Sequence, residues 1–195
     1  MISVLDTGLA NSGSVINSIR RLGYSAQLTQ DPDTLIKSPR VILPGVGSAL
    51  ALMDWIHASE LKDCLKNLTQ PVLGICLGMQ ILYASSAEGD VSCLGIFPGR
   101  ICRIQSEVNL PIPHMGWNQV LSISPCKLLR GIPENSYFYF VHSFRAPQGD
   151  ETKAICQYGE QIPAVIEAGS WFGTQFHPER SGTMGEMIIR NFLDL

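Results

Sequence analysis

The chain has no surplus of basic residues, no long apolar run and no closely paired cysteines, and each absence removes a class of function. Lysine and arginine number 14 against 17 aspartates and glutamates, a formal net charge of −3. Without a basic stretch to neutralise phosphates, neither a nucleic acid backbone nor an anionic membrane surface is an expected partner. No segment reaches the run of about 18 apolar residues that a spanning helix needs. The opening "MISVLDTG" also lacks the positive start and apolar stretch of a secretory signal. The expectation is a soluble cytoplasmic protein. The six cysteines, Cys64, Cys76, Cys93, Cys102, Cys126 and Cys156, contain no C-x-x-C pair. Neither a zinc cluster nor a disulfide framework is supported, and no metal or cofactor is called for. What remains is a chain of 195 residues that is 45% hydrophobic, enough to build one full core. It is read as a single domain over 1–195.

The first part alternates short apolar runs with helical periodicity. "ISVLD", "SAQLT", "RVILPG" and "PVLGI" read as strands. Between the first two, Val15, Ile16, Ile19 and Leu22 form one helical face that ends at Gly23. "SALALMDWIHASELKDCLKNL" reads as one or two helices, and "LGMQILYAS" as the helix that follows "PVLGI". Such alternation specifies an open, mostly parallel α/β sheet flanked by helices. From about Glu88 the texture changes to "GRICRIQ", "NQVLSIS", "YFYFVHSF", "KAICQY", "PAVIEA" and "WFGTQF", a β-rich and largely antiparallel part, closed by the helix "GEMIIRNFLDL".

Cys76 in "LGICLGMQ" falls at the expected turn from strand to helix, over the carboxyl edge of the sheet, where open α/β sheets carry their ligand sites. A helix N-terminus there favours a thiolate. Gly74 and Gly78 allow the tight turn and a close approach of substrate to backbone. The pattern parallels the G-x-S-x-G nucleophile elbow with sulfur in place of oxygen. The alternative is a small buried filler. A thiol nucleophile needs a base and a group to orient it. Of His57, His114, His142 and His177, the last stands in "GTQFHPE" with Glu179 two residues on, and Pro178 biases it toward an extended conformation. In a Cys76–His177–Glu179 arrangement the imidazole takes the thiol proton and returns it to a leaving amine, while the carboxylate fixes the tautomer. His57 lies in a helical stretch; His114 and His142 flank aromatic segments and fit a structural role equally.

Taken together, "PGVGS", "GICLGMQ" and "QFHPE", in this order and spacing, resemble the class I, triad-type glutamine amidotransferases. "PHMGWN", "YFVHSF" and "FHPERSG" narrow the likeness to the branch of that family that works beside a cyclase in histidine biosynthesis, and the resemblance runs end to end. It implies a flavodoxin-like α/β fold and hydrolysis of the glutamine side-chain amide to glutamate and ammonia by Cys76, His177 and Glu179. It further implies an oxyanion hole from the backbone of Leu77 and of Val46 or Gly47; "PGVG" alone reads equally as a plain turn. Gln80 and Glu88 match positions that hold the two ends of glutamine, with the backbone of His142, Ser143 and Phe144 as the opposite wall, although Glu88 also fits a solvated loop acid. Asn11 matches a position beside the substrate, but "DTGLAN" departs from the family's D-Y-G-x-G-N pattern at Thr7 and Ala10.

Ammonia released into water is protonated and loses its nucleophilicity, so a partner that consumes it is expected. The resemblance implies a heterodimer with a (β/α)8-barrel cyclase, HisF, with Trp117, Tyr139 and Arg180 near the interface. Each also fits a plainer role, the aromatics in a core and the arginine as a surface charge. Two other readings stay open: a related subunit that feeds ammonia to another acceptor, such as a surface-sugar precursor, and a non-catalytic scaffold of the same fold.

Overall fold

Three short stretches, Val41–Gly45, Val72–Cys76 and Ile2–Leu5, are buried along their whole length, and their lack of a polar face dictates the architecture. A strand apolar on both sides must be covered on both sides, which suits the middle of a parallel sheet. The computed structural model describes residues 1–8, 12–105 and 110–195. In chain order the elements begin with β1 (Ile2–Leu5), α1 (Ser12–Arg21), β2 (Ala26–Thr29), α2 (Pro32–Lys37), β3 (Val41–Gly45), α3 (Ala49–Ala58) and α4 (Lys62–Lys66). Next come β4 (Val72–Cys76), α5 (Leu77–Gln80), β5 (Tyr83–Ser86), β6 (Val91–Ser92) and β7 (Phe97–Arg103). The remainder is β8 (His114–Gln119), β9 (Leu121–Ser122), β10 (Tyr137–His142), β11 (Phe144–Arg145), β12 (Thr152–Tyr158), β13 (Glu160–Ala168), β14 (Trp171–Thr174), a 3-10 turn (Pro178–Arg180) and α6 (Gly182–Leu193).

The main sheet runs β2-β1-β3-β4-β14-β13-β12-β9, parallel from β2 through β14 and antiparallel beyond. Alternate side chains of its central strands feed two cores. Ile42, Leu73 and Ile75 pack with Val15 and Ile19 of α1 and Ile188 and Phe192 of α6. Val41, Leu43 and Val72 pack with Leu52, Met53 and Ile56 of α3. A four-stranded sheet, β11-β7-β5-β6, and a two-stranded antiparallel ribbon, β8–β10, lie beside it. α3 is capped by Ser48, whose hydroxyl accepts from Ala51 N, and α2 by Asp31, which accepts from Thr34 N at 2.9 Å.

One expectation is corrected. "LGMQILYAS" is not one helix: α5 is a single turn, and Tyr83–Ser86 turns away as a strand that pairs with β6 and β7. Local propensity gives way there to non-local pairing, with Tyr83 set beside Phe97. The second half is largely antiparallel, but β14 returns to lie parallel to β4, and β5 pairs parallel with β7. The helical expectation over "SALALMDWIHASELKDCLKNL" resolves into the two helices α3 and α4. Asn11 lies outside the described residues.

The register fixes the site. Gly45 is paired with Cys76, and Ile75 with Thr174, so β3, β4 and β14 end side by side. The "PGVG" loop, the "GICLG" turn and the "QFHPE" segment therefore leave the sheet at one edge.

Candidate active site

Cys76 ends β4 with φ +54° and ψ −109°, a backbone region that costs an L-residue about 1–3 kcal/mol and persists only where its surroundings enforce it. The enforcement comes from glycines. A Cβ on Gly78 would stand 1.8 Å from the Leu43 carbonyl oxygen, and one on Gly74 would stand 2.6 Å from that of Gly78. Gly74 and Gly78 thus let α5 lie directly on the backbones of β3 and β4. The bend leaves Sγ 3.8 Å from the Val141 carbonyl oxygen and 3.7 Å from Gln175 Nε2.

His177 follows β14 in extended conformation (φ −96°, ψ 97°), as Pro178 favours, and its Nδ1 lies 2.8 Å from Glu179 Oε1. Both side chains are about 5% exposed or less. With Nδ1–H committed to the carboxylate, Nε2 is the free nitrogen, and among the described residues neither it nor Glu179 Oε2 has a hydrogen-bond partner. The backbone is pinned too. His177 N donates to Tyr139 O at 2.9 Å. Ser181 Oγ donates to His177 O at 2.7 Å and accepts from Tyr139 N at 3.0 Å. Burial pushes the His177 pKa down, but the nearby Cys76 sulfur and the hydrogen-bonded Glu179 carboxylate outweigh it and hold the imidazole well above the ordinary histidine value.

A cavity of about 310 Å³, at the small end of ligand pockets, opens over these groups. Val46, Gly47 and Leu77 form one side; Gly47 has φ +93°, which glycine adopts without strain. His142, Ser143 and Phe144 form the other, and Gln80 and Glu88 complete it. Pro113 and Val141 also line it and were not singled out from sequence.

Several expected residues act as braces. Gln80 donates to Phe144 O at 2.8 Å and to Gln175 Oε1 at 2.9 Å, which uses both protons of its amide nitrogen. One carboxylate oxygen of Glu88 accepts from Ala49 N at 2.8 Å, at the start of α3. His142 sends Nδ1–H to Phe144 O at 2.8 Å and sets Nε2 2.9 Å from His114 Nδ1. Burial drives both rings toward the neutral form, His114 to about 4 and His142 to about 3. His142 therefore lines the cavity as part of its frame, and of the two roles left open for His114 and His142 the geometry favours the structural one. His57 is exposed on α3. Gln175, buried and in contact with the sulfur, was missed; it lies two residues before His177 in an extended run, so the two-residue period of a strand points to it.

Trp117, Tyr139 and Arg180 stand outside the cavity. Trp117 and Tyr139 are cross-strand partners on the ribbon, their rings 6.2 Å apart and edge to face. Trp117, Met115 and Tyr137 are 56%, 62% and 52% exposed on the ribbon's outer face. Arg180 is exposed one residue past Glu179.

A model of the glutamine amidotransferase class-I family matches residues 3–195. The chain is 45% identical over 195 residues to the imidazole glycerol phosphate synthase subunit HisH of Escherichia coli (strain K12), covering 100% of this chain and 99% of the relative. It is 44% identical over the same length to that of Yersinia pestis, again covering 100% and 99%. Among solved structures, a putative GMP synthase protein from Thermoplasma acidophilum superposes with a TM-score of 0.76 at 20% identity, over 99% of this chain and 92% of that one, a likeness of fold.

Proposed function

The chain belongs to the class-I glutamine amidotransferases, and we infer that it is the glutaminase subunit of an imidazole glycerol phosphate synthase. The observation that carries the chemistry is the convergence of Cys76 with the buried, carboxylate-held His177 at the rim of one cavity. Full-length identity to HisH subunits carries the pathway.

In this reading Cys76 Sγ attacks the amide carbon of glutamine as His177 takes its proton. The carbon–sulfur bond forms as charge develops on the amide oxygen. Leu77, the first residue of α5 and without an intrahelical acceptor for its N–H, turns that donor toward the oxygen, with the backbone of Val46 or Gly47 opposite. The imidazolium protonates the leaving nitrogen, the carbon–nitrogen bond breaks, and ammonia departs from a thioester. Water, deprotonated by the now neutral His177, attacks the thioester, and collapse expels the sulfur to give glutamate. Glu179 holds the ring in the tautomer that both steps need. Glu88 and the His142–Phe144 backbone face the two ends of the substrate, and Gln80 secures that wall.

The partner is the HisF cyclase, a (β/α)8 barrel that uses ammonia to convert PRFAR to imidazole glycerol phosphate and AICAR; the two subunits form a heterodimer that acts in the cytoplasm. Support for the docking face comes from the ribbon. Its outer aromatics and methionine have the composition of an interface core. The same ribbon holds His177 through Tyr139 and reaches Cys76 through Val141, so a partner seated there bears on both reacting groups. The test is glutamate formation by the purified chain alone, with cyclase, and with cyclase plus PRFAR. Low activity alone and a large rise in the full mixture are expected. High activity in isolation would contradict the partner's role, and activation by a different acceptor system would redirect the pathway to a related subunit.

A further inference from the structure

The amide of Gln175 is fully buried and lies against the Cys76 sulfur, with its backbone N anchored to Ala164 O at 2.9 Å. Oxygen and nitrogen of such an amide look alike, so which end meets the sulfur is decided by its neighbours. The Phe144 carbonyl oxygen can only accept. It is approached at 2.8 Å by Gln80, which must therefore present its nitrogen. The second proton of that nitrogen points at Gln175 2.9 Å away, which must answer with oxygen. Gln175 is then left with its N–H toward the sulfur. Turning Gln80 over would set its oxygen against two acceptor oxygens, and turning Gln175 over would set two N–H donors against each other, at hydrogen-bond distance.

The same carbonyl sets the polarity of a second chain of side chains. His142 Nδ1–H also donates to Phe144 O, which leaves its Nε2 to accept from His114 Nδ1–H. His114 Nε2 in turn accepts from Asn118 Nδ2, whose nitrogen also donates to Gln157 O at 3.0 Å. The chain of donors runs one way and is complete only with both imidazoles neutral. The sulfur also faces the Val141 carbonyl oxygen at 3.8 Å, a contact that suits a thiol and opposes an anion. A donor on another side offsets that opposition.

We propose that Gln175 is a further catalytic residue: its Nε2–H donates to the Cys76 sulfur and stabilises the charge there, in an orientation imposed by Gln80 and, through it, by the Phe144 carbonyl. This rests on Cys76 being the nucleophile. The ionisable groups that face the sulfur's cavity are His177 with Glu179 behind it, His142 from β10 and Glu88 from the turn between β5 and β6.

The test is the pH profile of iodoacetamide alkylation of the Cys76-containing peptide, read by mass spectrometry in full-length wild type, Gln175→Leu and Gln175→Met, beside glutamine turnover with the cyclase present. Loss of a hydrogen bond to an ionised group moves the midpoint up by about one to two pH units and slows alkylation at pH 7 roughly 10- to 100-fold. kcat falls and KM holds, because Gln175 does not line the cavity. Folded variants with wild-type profile and kcat overturn the proposal. If neither variant folds, wild type decides: side-chain ¹⁵N signals of Gln175 must shift as Cys76 titrates and lose that dependence in Cys76→Ala, and an unmoved signal overturns it. Should wild-type Cys76 react no faster than the other cysteines, the nucleophile reading fails; selective labelling that Gln175 variants leave unchanged removes the role of Gln175 alone.

Discussion

His177, in the segment after β14, and the His114–His142 pair, in the β8–β10 ribbon, are buried almost equally, at 4%, 3% and 6% exposure, yet their protons are driven in opposite directions. Burial disfavours the charged ring in all three. Among the described residues the ribbon pair has no anion recorded against it: His142 faces a carbonyl oxygen, and each ring faces the other. His177 has a carboxylate at Nδ1 and the Cys76 sulfur as the chief influence that raises it. Neighbours of one sign turn a buried histidine into a proton store, and neutral neighbours turn it into a strut.

The most drastic way to break the comparison is to remove the sulfur. Cys76→Ala should cut glutamine-dependent synthesis by roughly ten-thousandfold or more, while the complex still runs on added ammonia; assays with each nitrogen source check both halves. Glu179→Gln should leave the fold intact but lower glutamine-dependent kcat by about a hundredfold to ten-thousandfold, because the ring loses its tautomer and the carboxylate that helps retain its proton.

Proton uptake sharpens the contrast. An unfolded histidine protonates near 6.5, whereas His114 and His142 in the fold do so only near 4 and 3. Their contribution is whole above about 6.5 and is lost as pH falls toward those values, on the order of 3 kcal/mol each by pH 4 as an upper bound. His177 behaves in the opposite sense: its contribution is whole below 6.5 and lost as pH rises toward about 10. Histidine NMR should find the ribbon pair neutral down to pH 5 and His177 protonated at pH 7. A protonated ribbon pair at pH 6 would undo the account of the strut. The smallest effect belongs to the ribbon's other face. Trp117→Ala should weaken cyclase binding by about 1–3 kcal/mol and change the chain's own stability by no more than about 0.5 kcal/mol, as titration calorimetry and denaturation would measure.

Much of the parallel half was legible because its signals are local. Fully apolar strands, the Val15–Ile16–Ile19 face and glycines at Gly74 and Gly78 each constrain the chain within a few residues. Cys76 stands in that half and His177 and Glu179 a hundred residues on, each at a strand end that the parallel pairing of β4 with β14 brings together. The helix expected after Gln80 failed because Ile81, Leu82 and Tyr83 suit a helix and a strand alike, and pairing with a segment more than ten residues on decided between them. The ribbon's inner face was illegible for a related reason. His114 and His142 are 28 residues apart, and only their pairing shows that each supplies what the other lacks. The bracing contacts of Gln80 were illegible for the same cause, since its acceptors, Phe144 and Gln175, lie 64 and 95 residues away.

Whether the sulfur of Cys76 is the nucleophile is read most plainly by peptide mapping after exposure of the chain, with and without cyclase, to an electrophilic glutamine analogue. One adduct is predicted, on Cys76, formed faster with the partner and suppressed by free glutamine. An adduct spread over the other cysteines, or one on Cys76 that glutamine does not prevent, would contradict that role.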